Sequence, residues 1–153
     1  MSIFDKALKN IEQVASNIPK WGIEALKKNE DKIIQRFTSF QLSKGLDGTG
    51  TVVGRYDPST EGYAQRDGIS TPKTPGSPYN FQWTGETMEN LYLTQFKQDS
   101  GEYSIFTVQG KMAIMESFST KIFDFTEENN AWVNENIIDP YIAQKMSENL
   151  FDI

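Results

Sequence analysis

The chain has 153 residues, 15 basic and 21 acidic side chains and a formal net charge of -6, a length that predicts one domain. Cysteine is absent and so is histidine, which excludes disulfides, thiolate and imidazole metal sites, thiol nucleophiles and every hydroxyl–imidazole scheme. The acidic balance argues against a coat for nucleic acid, whose phosphates are gripped by clustered Lys and Arg, and no apolar run approaches the ~20 residues that span a bilayer.

Residues 2–41 read as helix. Ile3, Phe4, Ala7, Leu8, Ile11, Val14, Ala15 and Ile18 recur at spacings of three and four and paint one apolar stripe. Helical patterning begins at once, with no signal-peptide core, so synthesis in the cytoplasm is expected. The polar face mixes Asp5, Lys6, Lys9 and Glu12. A contact with the protein's own core or with another subunit therefore fits better than a membrane surface. Asn17-Ile18-Pro19 predicts a break, because proline disfavours helical geometry in the residue before it. A second helix is predicted over residues 22–41, with Ile23, Leu26, Ile33, Phe37 and Phe40 on one seam and Glu30 the only charge in that register. Gly45 is available for a left-handed cap.

Residues 43–89 hold eight of the eleven glycines and four of the six prolines. Such a stretch predicts neither long ladders nor helical turns. Tyr56, Tyr63, Tyr79, Phe81 and Trp83 are anchors that solvated linkers lack. The expectation is an extended arm that orders against the protein's own core or a neighbouring subunit.

Residues 90–153 read as a β-meander followed by helix. Residues 91–96 and 102–108 are rich in β-branched and aromatic side chains, with a hairpin turn at Gln98-Asp99-Ser100-Gly101. A third strand is predicted over residues 111–117. Thr126 followed by Glu127 and Glu128 is an N-cap with acids in the first turn. Pro140 predicts a kink or split in the C-terminal helix. The fold class expected is α+β: terminal helices on a small antiparallel sheet, joined by a long Gly/Pro-rich arm.

Three constellations bear on chemistry. Asp47-Gly48-Thr49-Gly50 fails as a calcium loop, because position twelve is Pro58 where a bidentate Glu is required; a glycine-rich turn is the better reading. Asp57, Glu61, Asp67, Glu86 and Glu89 offer carboxylates for glycoside hydrolysis, but nothing in the pattern fixes a pair in space. Arg55, Arg66 and Lys73 lie among tyrosines, as in single-strand binders, yet Asp47, Asp57, Glu61 and Asp67 cancel their charge. Tyr56, Tyr63, Tyr79 and Trp83 read instead as subunit-contact anchors, the residue types that dominate protein–protein hot spots.

A helix ending in Leu42-Ser43-Lys44-Gly45-Leu46-Asp47-Gly48-Thr49-Gly50 is followed by Val53-Gly54-Arg55-Tyr56-Asp57-Pro58-Ser59-Thr60 and a connector containing Gly68. Trp83-Thr84-Gly85-Glu86-Thr87-Met88 precedes the hairpin, and Ile122-Phe123-Asp124-Phe125-Thr126-Glu127-Glu128-Asn129 leads into the last helix. Over residues 35–150 this order resembles the tail-completion and neck proteins of tailed bacteriophages and Bacteroidetes prophages. Asp57 and the three prolines at Pro72, Pro75 and Pro78 depart from the family pattern and leave the ring position open. The resemblance implies a structural virion protein of the head–tail junction or proximal tail, assembled in the host cytoplasm, without catalysis or cofactor. Its partners would be further copies in a ring and adjacent portal, connector or tail proteins, with DNA passing unbound and no membrane. An inner wall of like charge would keep transiting phosphates from adhering, within the ~8 Å screening length of physiological salt. A non-viral module whose arm orders on a peptide or glycan is the alternative, and a carboxylate-dependent hydrolase a lesser one.

Overall fold

The structure is a computed structural model that describes residues 2–82, 86–107 and 109–150, with backbone alone for Glu86 and Gln109. The fold is α+β. Helix α1 spans Ile3–Lys28 and starts on a capping box: Ser2 Oγ accepts the Asp5 N–H at 3.1 Å, and Asp5 accepts the Ser2 N–H at 2.9 Å.

The break predicted at Pro19 does not occur; α1 runs straight through it. Pro19 lies on the exposed side, as does Ala15, whose carbonyl would have received the missing bond. Water can solvate that carbonyl, because this part of the helix is exposed around Ala15 and Pro19 while Val14, Trp21, Ala25 and Leu26 are buried. The chain breaks instead at Asn29, whose side-chain amide donates to the Ala25 carbonyl at 2.9 Å and so closes the last turn. Helix α2 follows (Glu30–Phe40), then a single 3-10 turn (Leu42–Lys44) that Gly45 ends at φ 70°, the left-handed cap expected.

Strands β1 (Tyr92–Lys97) and β2 (Glu102–Phe106) form an antiparallel hairpin, and the sheet has these two strands among the described residues. Gln95 and Phe96 stand opposite Tyr103, a bulge in which Gln95 takes φ 52°. The third predicted strand is a correction: residues Gln109–Glu116 are helical. Lys, Met, Ala and Glu favour helix, and a helical turn sends Met112 and Met115 to the same side, with Met115 in the core. The irregular segment between the helical part and the hairpin also contains two short helices, Thr60–Arg66 and Glu86–Glu89, which its glycine and proline content had argued against. In chain order these three are α3 (Thr60–Arg66), α4 (Glu86–Glu89) and α5 (Gln109–Glu116).

Helix α6 (Glu127–Val133) begins on Thr126, whose hydroxyl accepts the Asn129 N–H at 3.2 Å. A wide turn, Asn134–Ile138, joins it to α7 (Asp139–Leu150), and there the Asp139 N–H reaches back five residues to Asn134. This is the disturbance expected of Pro140: it lacks an N–H and its ring crowds the carbonyl four residues earlier, so the helix widens upstream.

The core gathers Ala25 and Leu26 of α1, Ile33 and Phe37 of α2, Leu93 and Ile105 of the hairpin, Met115, Ile122, Val133 and Ile137. Two polar connections, one part-buried and one buried, fix its layers. Glu30, the charge on the α2 seam, accepts the Leu93 N–H at 3.0 Å and ties the helix to the sheet edge. Gln41, fully buried, donates to the Asp124 carbonyl at 2.6 Å and accepts from the Thr126 N–H and the Asn129 amide at 3.0 and 3.1 Å. Helix α7 packs along α1, where Tyr141 donates to Glu24 at 3.2 Å, and does not lie on the sheet.

Candidate interaction surfaces

The Gly/Pro-rich segment turns back on itself. The Tyr79 N–H donates to Gly54, the Tyr56 N–H to Ser77 and the Gly76 N–H to Tyr56, at 3.1, 3.0 and 2.9 Å, and Arg55 bridges to Pro78. Between these limbs lies Lys73, 1% exposed. Its ammonium donates to Asn80 Oδ1, to the Gln82 carbonyl at 2.7 Å and to the Tyr56 hydroxyl at 3.2 Å, with the Tyr56 ring 5.2 Å away. Burial pushes its pKa below the ordinary lysine value. Gln82 donates its N–H to Asn80 Oδ1 at 3.1 Å, and the turn so closed holds Phe81 at φ 52°.

The four predicted anchors part company here. Tyr56 and Tyr79 meet edge to face, centroids 5.0 Å apart, and Tyr79 continues onto Phe81 and Phe118 at 6.1 and 5.4 Å. Both rings are half-buried and engaged within the chain. Gly54 makes this possible: a Cβ there would lie 2.2 Å from the Tyr79 ring. Tyr63 stands outside the cluster on α3, 52% exposed, beneath the Arg66 guanidinium at 5.1 Å. Trp83 lies outside the described residues. Sequence reasoning singled out Lys73 only as one of three cations among tyrosines and missed its burial, and it missed Asn80 altogether; a lysine between prolines carries no signal that it will be engulfed.

Asp47 heads a turn, as its glycine neighbours predicted. Its carboxylate accepts the Thr49 and Thr51 N–H groups at 2.9 and 3.2 Å and the Thr49 and Ser119 hydroxyls at 2.6 and 2.9 Å. Burial acts to raise its pKa, but these donors outweigh it and hold the carboxyl below the usual range. Asp57 likewise accepts the Ser59 N–H and hydroxyl, at 2.9 and 2.7 Å, in the turn before α3. Arg66 reaches Asp67 at 3.0 Å on the surface. Among the described residues no three acidic side chains lie together as metal ligands would. The side chain of Glu86 lies outside them.

The apolar stripe read from the sequence stays uncovered over the first half of α1. Ile3 and Phe4 are each 85% exposed, and Leu8 and Ile11 are 57% and 56% exposed. They continue, on the same side of the helix, the stripe that buries Val14, Trp21 and Ala25 further along. No helix among the described residues is long and apolar enough to cross a membrane. Comparison with protein-family models, with curated proteins and with solved structures gave no match to the chain.

Proposed function

We propose that the protein is a structural subunit of an oligomeric assembly, a ring at the head–tail junction or proximal tail of a tailed phage, joined to neighbouring chains through α1. The observation that carries this reading is the uncovered apolar stripe of Ile3, Phe4, Leu8 and Ile11. At ~1.5–3 kcal/mol per large apolar side chain, covering what is exposed would release roughly 4–8 kcal/mol before association costs. An uncovered stripe of that size marks an interaction site on a folded chain. The residue order from Leu42 to Asn129 supplies the virion setting, and the resemblance implies the partners: sibling copies, portal, connector or tail proteins, and DNA that passes without specific binding.

Subunits in such a ring need surfaces formed before they meet. The arm supports this, since Tyr56, Tyr79 and Lys73 already brace it from within, leaving Tyr63 and the α1 stripe to face neighbours. Light scattering on the full chain tests the proposal. Self-association that grows with concentration and is lost in a Phe4→Ser, Leu8→Ser double variant of unchanged melting temperature is expected. A chain that stays monomeric at millimolar concentration, with the double variant behaving identically, refutes it.

A further inference from the structure

The sheet stops at β2, although the sequence pattern predicts a third strand beside it. Because residues 111–116 fold as helix, the outer edge of β2 borders a cleft of about 630 Å³. All six consecutive residues 101–106 line it. Neighbouring strand residues point their side chains to opposite faces, so a cleft touched by every one of them follows the backbone edge.

Among the described residues that edge is unpaired. The Leu93 N–H turns away from β2 to Glu30, so Leu93 and its cross-strand partner Ile105 form a pair whose main-chain groups face outward. Alternation along β2 puts the N–H and carbonyl of Tyr103 outward as well. Neither residue's main chain finds a hydrogen-bond partner beyond the hairpin among the described residues. The Tyr103 hydroxyl is also buried without a partner among the described residues, its ring 5.7 Å from Phe125 on the cleft wall.

Charge says what kind of chain belongs there. Glu102, Glu116 and Asp124 line the cleft, and among the described residues no Lys or Arg does. Glu102 is paired with Lys97 at 3.0 Å, while Glu116 and Asp124 are exposed and their carboxylates take no partner among the described residues. Met112, Phe106 and Phe123 supply apolar surface between the acids. We propose that the outer edge of β2 is a docking site for an extended, basic segment of another protein, which enters as the third strand of the sheet. Main-chain hydrogen bonds to Tyr103 and Ile105 would hold it, its Lys or Arg side chains would meet Glu116 and Asp124, and alternate apolar side chains would fill the aromatic wall. The site asks only for such a segment and stands whether or not the chain belongs to a virion.

The probe is a fluorescein-labelled heptapeptide of alternating Lys and Val, added to the full chain and followed by anisotropy and residue-resolved amide exchange. In the free chain the Tyr103 and Ile105 amides should exchange freely while those of Ser104 and Phe106 are protected. The peptide should slow exchange at Tyr103 and Ile105 at least ~10-fold. A Glu116→Lys, Asp124→Lys double variant with an unchanged circular dichroism spectrum should bind at least ~10-fold more weakly at low salt. A Glu–Val peptide should not bind. Equal binding of both peptides, binding without new protection, or Tyr103 and Ile105 protected in dilute free chain would overturn the proposal. Protection that instead grows with protein concentration alone would hand the edge to a second copy, and would overturn it too.

Discussion

Replacing Lys73 by Met removes the ammonium and its donors while keeping an unbranched stem of similar length, so it isolates the charge from the packing. Hydrogen bonds to a charged group contribute ~1.5–3 kcal/mol each when broken singly, but the three acceptors named above are not orphaned. Asn80 Oδ1 keeps the Tyr56 hydroxyl at 2.8 Å and the Gln82 N–H at 3.1 Å. The Gln82 carbonyl keeps the Thr71 hydroxyl at 3.2 Å, and the Tyr56 hydroxyl keeps the Asn80 N–H at 3.0 Å. Removing the ammonium also removes the cost of burying it, seen in the lowered pKa. The expected loss for Lys73→Met is therefore only about 1–2 kcal/mol. Lys73→Ala deletes three methylenes as well, at ~0.8 kcal/mol each plus a cavity, for a total of roughly 3–5 kcal/mol. Equilibrium urea unfolding measures both, and amide exchange should show the loosening centred on residues 53–82. If Met costs as much as Ala, or if arm amides exchange as in the wild type, the arm is not organised around this ammonium and the reasoning fails.

Gly54→Ala drives a methyl group into the Tyr79 ring and should cost about 1–3 kcal/mol in urea unfolding; an unchanged midpoint would mean the ring cluster is looser than its geometry. Pro19→Ala restores the bond to the Ala15 carbonyl inside α1 and should raise stability by roughly 1–3 kcal/mol, read as a higher melting temperature, with no gain counting against the account of the unbroken helix. In alkali, the lowered Lys73 pKa means the unfolded chain binds more protons there, so this group makes stability rise with pH up to about the unperturbed 10.5. Burial raises the pKa of Tyr103 and of Tyr56, so above the ordinary value of 10.0 the unfolded chain loses protons first and stability falls. A pH series of unfolding free energies should show the rise in the wild type and not in Lys73→Met. At the acid end Asp47, held below 3.8, loses its contribution as pH falls through 3.8 toward its folded value; Asp47→Ala should flatten that limb of the curve.

Sequence alone determined the features that neighbouring residues decide among themselves. Thr126 as an N-cap, Gly45 at φ 70° and the disturbance around Pro140 each satisfy or remove main-chain groups within five residues, so they were legible. The hairpin was legible for the same reason, and with the terminal helices it set the α+β class. Tertiary structure decided whatever depended on which surface a segment meets. Pro19 is tolerated because it and Ala15, whose carbonyl it leaves unpaired, are exposed to water. Residues Gln109–Glu116 coil because the core takes Met115 from a helical turn. Lys73 is enclosed because limbs several residues away on either side of it, at Tyr56, Asn80 and Gln82, fold over it. Burial is a property of the assembled chain, and a string of residues reports it only where apolar spacing repeats. That spacing exists in α1, where it foretold an apolar face; only the folded chain decided that half of this face, from Ile3 to Ile11, stays uncovered.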